Sequence, residues 1–263
     1  MLKKILIFAL PKSQHMKSKI CVVGCVLAAL STLYFINLEA YTATAVSRIA
    51  FKLLLFVCFF NHKAIQNKLL FYAFFGTLLI TDLCSIGAIY ISASFLYAIS
   101  GLFGLGYLFL LADGYTKFKV LNLRNTVAMY YFFVIAINAL LMLLHLYNLY
   151  HYLEGLSWVY VGQVLYSILM FLMIIMALAY YLNSYSKKSM YFLIGTLAFI
   201  GSDILISAYY FYNIEENLVL LHTLLGMIGY VFFFNYFFTP EVPQLIEQEI
   251  LDELRSRKSK MRD

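Results

Sequence analysis

The chain has 263 residues, of which 63% are hydrophobic and only 12% charged, and its mean hydropathy is +0.84. A soluble domain of this length could not bury so much apolar surface, so the composition predicts a polytopic membrane protein. The apolar runs are long and continuous rather than alternating, which favours transmembrane helices over a β-barrel. The formal charge of +6 does not indicate nucleic-acid binding, because the basic residues lie between hydrophobic spans.

Three regions follow one another along the chain. Residues 1–18 form a basic segment, residues 19–239 a transmembrane domain, and residues 240–263 a charged, helix-like tail. In the first segment the apolar run 5–10 is too short to span a bilayer and is ended by Pro11. We therefore expect an interfacial helix there rather than a signal peptide.

The transmembrane domain contains eight apolar stretches, each close to the ~20 residues that a bilayer requires. The second is the shortest and carries Arg48 and Lys52. The sequence thus predicts an all-α fold, a bundle of eight transmembrane helices. The predicted spans are residues 19–37, 43–60, 69–91, 93–112, 127–147, 156–182, 189–211 and 216–238.

The distribution of charge between these spans predicts their orientation. Apart from Arg48 and Lys52, all Lys and Arg residues fall in segments on one side, whereas the alternate segments carry glutamates. By the positive-inside rule both termini are cytoplasmic. We expect an integral, multi-pass protein of a bacterial inner membrane.

Two aspartates lie inside predicted spans, Asp82 in the third and Asp203 in the seventh, and each follows a hydroxyl residue. Both spans run outward, and at ~1.5 Å per residue both carboxyls lie roughly 20 Å from the cytoplasmic ends. A charge at this depth costs at least about 2.5–3.5 kcal/mol, which indicates a functional site rather than a lipid-facing position. We expect both aspartates to face one cavity. A four-plus-four internal duplication would relate the two spans.

Other polar residues in the spans permit two interpretations each. Lys52 either extends its ammonium to the inner interface or pairs with a buried aspartate or an anionic headgroup. His222 lies near the depth of the aspartates and either serves the site or bonds a neighbouring carbonyl. Tyr166 either contacts the substrate or links two helices. The four cysteines lie in apolar runs without metal-ligand spacing, so we expect small apolar packers, no metal site and no cofactor.

The stretch Ile194 to Ser207 resembles the seventh span of the lysoplasmalogenase (YhhN-like) family, with its small residues, Phe, Ser-Asp and leucine. Asp82 resembles the acid of the family's third span, with Thr81 in place of Gly. Lys52 resembles the lysine of the second span, here without the proline that follows it. The segment 164–170 is similar to the tyrosine segment of the sixth span.

This resemblance implies a hydrolase that cleaves the vinyl ether of a lysoplasmalogen to a fatty aldehyde and a glycerophospho-headgroup. It implies catalytic roles for Asp82 and Asp203 and substrate-binding roles for Lys52, Tyr166 and His222. The partners would be a lysophospholipid substrate and the bilayer that delivers it. A vinyl ether protonated on its β-carbon becomes an oxocarbenium ion, which water captures. One carboxyl must supply that proton while the other, ionised, stabilises the cation or activates water.

Two other functions fit the same residues. One is a proton-coupled small-molecule transporter, although no span is interrupted by proline or paired glycines as in many transporters. The other is a non-catalytic membrane interaction protein whose tail docks a partner. For the hydrolase we expect Asp82→Asn and Asp203→Asn each to abolish cleavage while leaving the protein folded, with no buried unpaired charge left behind.

Overall fold

The computed structural model describes residues 17–60, 68–91, 95–117, 125–152, 157–212 and 217–240. These residues form eight α-helices and no strand, which confirms the predicted all-α fold. The expected interfacial helix and the charged tail lie outside the described residues. The helices are α1 (Lys17–Asn37), α2 (Tyr41–Phe60), α3 (Lys68–Tyr90), α4 (Phe95–Tyr115), α5 (Asn125–Tyr152), α6 (Ser157–Ser184), α7 (Lys187–Tyr212) and α8 (Asn217–Phe238).

Within the described residues, the seven helices α2 to α8 are long and apolar enough to cross a membrane. The apolar part of α1, Val22–Asn37, is shorter. Many large apolar side chains on the outside of the bundle are exposed, as expected for surfaces that face lipid. The protein is therefore an integral, multi-pass membrane protein.

Helices adjacent in the chain pack as antiparallel pairs, namely α1 with α2, α3 with α4 and α7 with α8. α8 also contacts α1 and α2, and α4 contacts α6. α5 packs chiefly on α6, and most of its large apolar side chains are exposed. The interior of the bundle therefore lies between α2, α3, α4, α7 and α8.

Several buried hydroxyl side chains donate to the backbone carbonyl one turn earlier in the chain, a bond that needs no other helix. A helix can thereby carry Ser and Thr in the membrane without an interhelical partner. Bonds of this kind run from Thr32 to Ala28, Thr44 to Ala40, Ser47 to Ala43, Thr81 to Thr77 and Thr223 to Val219.

Aromatic rings from α3, α7 and α8 fill the interior. The ring centroids of Phe71 and Phe234 lie 5.4 Å apart, and those of Phe74 and Phe233 lie 5.6 Å apart, both pairs edge to face. This arrangement is the preferred one for aromatic pairs, because it places the positive edge of one ring on the negative face of the other. These ring pairs join α3 to α8.

Two glycines let α7 and α8 approach closely at this core. A Cβ atom added at Gly229 would lie 2.2 Å from Cδ1 of Phe199, and one added at Gly195 would lie 3.2 Å from Cγ of Phe233. Each phenyl ring thus lies against a glycine of the opposite helix. Gly229 thereby makes room for Phe199, which borders the candidate site.

Candidate functional site

A cavity of about 50 Å³ lies between α2, α3, α4, α7 and α8. By the same measure a water molecule needs about 10–15 Å³, so the cavity has room for a few water molecules. Its wall combines apolar and aromatic side chains with five acidic or basic ones. The lining residues are Arg48, Phe51, Lys52, Asp82, Phe103, Tyr107, Phe199, Ser202, Asp203, His222, Thr223, Gly226, Met227 and Tyr230.

Asp82 is buried and forms an ion pair with Lys52 of α2. The Lys52 ammonium donates to Oδ2 of Asp82 at 2.6 Å and to the carbonyl of Leu78 at 3.2 Å. It also lies 4.5 Å from the centre of the Tyr230 ring. Only 1% of Lys52 is exposed, so this lysine pairs with a buried aspartate instead of reaching the interface.

This ion pair corrects one expectation about Asp82→Asn. Removing the carboxylate would leave the buried Lys52 ammonium without its counter-charge, which typically costs about 3–5 kcal/mol. The expectation that the substitution leaves no unpaired charge is therefore wrong for Asp82. For Asp203 the expectation stands, because its partners are neutral.

Arg48 is a second cation on the same carboxylate. It lies one helical turn before Lys52 on α2, and positions four apart share a helix face. Its Nε lies 3.5 Å from Oδ1 of Asp82, and 29% of its side chain is exposed. The sequence analysis gave Arg48 no role at the site, although its spacing from Lys52 was a usable signal.

Asp203 has a different environment on α7. Its Oδ2 accepts hydrogen bonds from the hydroxyls of Tyr107 on α4 and Tyr166 on α6, the latter at 2.6 Å. No Lys or Arg of the described residues forms an ion pair with it. Asp203 is therefore held by two neutral donors within a mainly apolar wall.

Tyr107 is a site residue that the sequence analysis missed. It follows Gly106 on α4, where an added Cβ would lie 3.4 Å from Oγ1 of Thr77 on α3. The α4 backbone at Gly106 therefore lies close to α3, and the neighbouring tyrosine lines the cavity. A glycine next to a tyrosine inside an apolar span is only a weak signal, because it also fits simple helix packing.

His222 of α8 lines the cavity and is hydrogen-bonded to the residue before Asp203. Its Nδ1 lies 2.9 Å from the carbonyl oxygen of Ser202 and 2.8 Å from its hydroxyl. The Ser202 hydroxyl also donates to the carbonyl of His222 at 3.0 Å. His222 therefore bonds a neighbouring carbonyl, as one interpretation expected, and it also borders the cavity, while its role at the site stays a prediction.

The structure brings four of the five predicted site residues to one cavity: Asp82, Asp203, Lys52 and His222. The shared cavity expected from the matched depth of the aspartates is confirmed. The fifth residue, Tyr166, is not among the lining residues and contacts the site through Asp203. The catalytic and substrate-binding roles of all five stay predictions.

A second buried polar group, which we call the α4–α8 cluster, comprises Asp113, Lys117, Lys188 and Tyr236. The Lys117 ammonium donates to Asp113 at 2.7 Å and to the Tyr236 hydroxyl at 2.6 Å, and that hydroxyl donates to Asp113. The Lys188 ammonium lies 5.3 Å from the centre of the Tyr236 ring. The cluster lies near the last turns of α4 and α8 and the first turn of α7, and none of its residues lines the cavity.

The described residues contain no group of three His, Cys, Asp or Glu side chains that could hold a metal ion. Cys25 is buried, and its Sγ lies 3.9 Å from that of Cys58 without a disulfide. The chemistry available at the cavity is therefore that of one ion-paired carboxylate and one carboxyl on neutral hydroxyls, a pair suited to proton transfer and water activation. No family model matches the chain, and neither a curated protein nor a solved structure matches it.

Proposed function

We propose that this protein is a membrane-embedded hydrolase similar to lysoplasmalogenases, which cleaves the vinyl ether of a lysoplasmalogen by acid catalysis. The observation that carries the proposal is the contrast between the two aspartates of one cavity. Asp82 is neutralised by cations, whereas Asp203 is bound only by neutral hydroxyls. Two carboxyls in unlike environments are the usual basis for assigning one as acid and the other as the ionised partner.

Asp203 is the proton donor in this mechanism. Both tyrosine hydroxyls donate to Oδ2, which leaves Oδ1 to carry the proton. Transfer of that proton to the β-carbon of the vinyl ether forms an oxocarbenium ion beside the new Asp203 carboxylate. Tyr107 and Tyr166 already donate to this carboxylate, so the charge that develops on it is stabilised without rearrangement.

The next step adds water to the oxocarbenium carbon. The Asp203 carboxylate takes up the proton that this water loses, and the resulting hemiacetal collapses to a fatty aldehyde and the glycerol hydroxyl. One water molecule is consumed, and Asp203 regains its proton. The cavity has room for a few water molecules, so it can hold the nucleophile beside the reacting bond.

Asp82 remains ionised throughout, because Lys52 and Arg48 both lie against it. It fixes the Lys52 ammonium next to the Tyr230 ring, within the cavity wall. In this mechanism His222 contacts the polar part of the substrate, while Lys52 acts on it through the charge that it holds in the cavity wall. The apolar chain of the lipid enters laterally from the bilayer, between helices whose outer faces are apolar.

The test is release of aldehyde by the purified protein from a lysoplasmalogen in detergent micelles or nanodiscs. In heavy water the aldehyde should carry one deuterium on the carbon next to the carbonyl, because the acid protonates that carbon. Cleavage without this deuterium would exclude the proposed proton transfer. Lysoplasmalogen binding without any cleavage would favour the non-catalytic interaction protein, and solute-dependent proton flux in proteoliposomes would favour the transporter.

We also propose that both termini are cytoplasmic and that the membrane is a bacterial inner membrane. The support is the charge distribution, since Lys and Arg outside the spans alternate with glutamate-bearing segments. A single cysteine placed at Glu215, between α7 and α8, should react with an impermeant thiol reagent only from outside the cell, in a background without the native cysteines. Reaction only from the cytoplasmic side would reverse the topology.

A further inference from the structure

Arg48 is a cation at the cavity, and one of its hydrogen-bond donors has no acceptor in the described part of the chain. Its Nε is buried and has no hydrogen-bond acceptor among the described residues. The nearest carboxylate oxygen, Oδ1 of Asp82, is 3.5 Å away, beyond the range of a good N–H···O bond. A buried guanidinium donor without an acceptor is costly, so its presence at a cavity wall points to an anionic ligand.

The charge around Asp82 leads to the same conclusion. The single carboxylate faces two cations, Lys52 at 2.6 Å and Arg48 at 3.5 Å. Lys52 satisfies the carboxylate and is 1% exposed, so it has little surface to offer a ligand. Arg48 supplies the surplus positive charge, and 29% of its side chain remains exposed.

We infer that Arg48 binds the phosphate group of a lysophospholipid whose apolar chain lies in the membrane. A guanidinium presents paired N–H donors that match two phosphate oxygens, which an ammonium does not. Arg48 lies seven positions after Tyr41, the first residue of α2, and so about 10 Å inside that end of the helix. Lys52 lies one turn deeper.

A lipid phosphate fits this position better than a soluble phosphate ion does. The cavity that Arg48 lines also has Phe51, Phe103 and Met227 in its wall, and these side chains suit the carbon atoms of a lipid. The cavity of about 50 Å³ is too small for a complete headgroup, so the phosphate would lie at the partly exposed Arg48 while the bond to be cleaved reaches the aspartates. This inference deepens the proposed function and rests on it for the kind of lipid.

The experiment measures binding rather than cleavage, so that it can fail separately from the proposed hydrolysis. The probes are a saturated 1-O-alkyl lysophosphatidylethanolamine, which has no vinyl ether, and the 1-O-alkylglycerol of the same chain length, which has no phosphate. The wild-type protein in nanodiscs should bind the phospholipid more tightly. Arg48→Gln should weaken phospholipid binding at least about tenfold and change binding of the alkylglycerol less than about twofold.

Three controls make the result specific. Val46→Ala changes an exposed position on the same helix and should leave both affinities unchanged. Arg48→Lys keeps the charge but loses the paired donors, and its affinity should fall between those of the wild type and Arg48→Gln. Arg48→Gln should fold, because Asp82 keeps its bond to Lys52. If it does not, the comparison of the two lipids on the wild-type protein still decides.

Equal affinity of the wild type for the two lipids would overturn the inference, as would an equal loss of both in Arg48→Gln. A further measurement adds inorganic phosphate to the complex of the wild-type protein with the phospholipid. Phosphate at ~10 mM should displace little of the phospholipid, because it lacks the apolar chain that contributes to binding. Complete displacement would assign Arg48 to a soluble anion and overturn the lipid assignment.

Discussion

The cavity and the α4–α8 cluster both bury an aspartate beside a lysine and a tyrosine, yet only the cavity has the features of a site. In the cluster, Asp113, Lys117 and Tyr236 are each hydrogen-bonded to the other two. In the cavity, the ion pair of Asp82 leaves a guanidinium donor unused, and Asp203 borders open space. The two regions thus contain similar residue types. They differ in that the cavity leaves a buried hydrogen-bond donor without an acceptor among the residues that the structure describes.

This difference shows that a buried charge in a membrane protein is a weak indicator of function by itself. The α4–α8 cluster holds the ends of α4 and α8 together through the hydrogen bonds among Asp113, Lys117 and Tyr236. The cavity carries more cationic donors than its own acceptors satisfy, together with a carboxyl that has only neutral donors. We therefore expect substitutions in the two regions to have different effects. Activity should fall only for substitutions at the cavity, whereas stability should fall when an ion pair of either region is broken.

The largest expected effect is on cleavage. Asp203→Asn should lower lysoplasmalogen cleavage by about 10²–10⁴-fold, because an amide cannot donate the proton. Stability should change little, since no charge is left unpaired. Aldehyde release and the midpoint of thermal unfolding measure the two effects. The control is Asp113→Asn, which should keep cleavage per folded molecule within a few-fold of the wild-type rate. A loss of cleavage below tenfold for Asp203→Asn would argue against the role of Asp203 as the acid.

The second effect is on stability and distinguishes the two ion pairs. Asp82→Asn should lower the free energy of unfolding by about 3–5 kcal/mol, because Lys52 is left buried without a counter-charge. Asp113→Asn should cost less, because Lys117 lies just beyond the end of α4 and can turn its ammonium toward water. Denaturant unfolding in mixed micelles gives both values.

A double substitution tests the cause of that loss. Asp82→Asn with Lys52→Met removes both charges and should recover much of the stability lost in Asp82→Asn, since no buried ammonium remains. Cleavage should stay low, because the carboxylate has not returned. If the double variant is as unstable as Asp82→Asn alone, the ion pair is not the reason for the loss.

The smallest expected effect concerns the contact between α7 and α8 at the cavity wall. Gly229→Ala places a methyl group where Phe199 packs and should cost about 1–3 kcal/mol through overpacking. Because Phe199 also borders the cavity, the KM for lysoplasmalogen should rise with little change in kcat. The control Gly101→Ala, where no atom lies within 4 Å of the added Cβ, should not lower stability and should leave KM unchanged.

Most of the fold could be predicted because a membrane-spanning helix is a local property of the sequence. A run of about 20 apolar residues has no soluble alternative, and its backbone groups can bond only within the helix. The predicted spans therefore agree closely with α1 to α8, with the largest difference at the end of α5, which continues to Tyr152. The aspartates were predicted to share a cavity by the same local argument, from depth along parallel spans.

The partners of each carboxyl could not be read from the chain, because they depend on how the helices rotate and pack. The sequence left two interpretations each for Lys52 and Tyr166, because it does not show that α2 packs on α3 or that α6 packs on α7. Tyr107 of α4 and Tyr166 of α6 both reach Asp203 of α7, a meeting of three helices that no local pattern indicates. In the sequence Asp82 and Asp203 look alike, whereas tertiary packing gives one two cations and the other two phenols, and the proposed role of Asp203 as the acid rests on that difference.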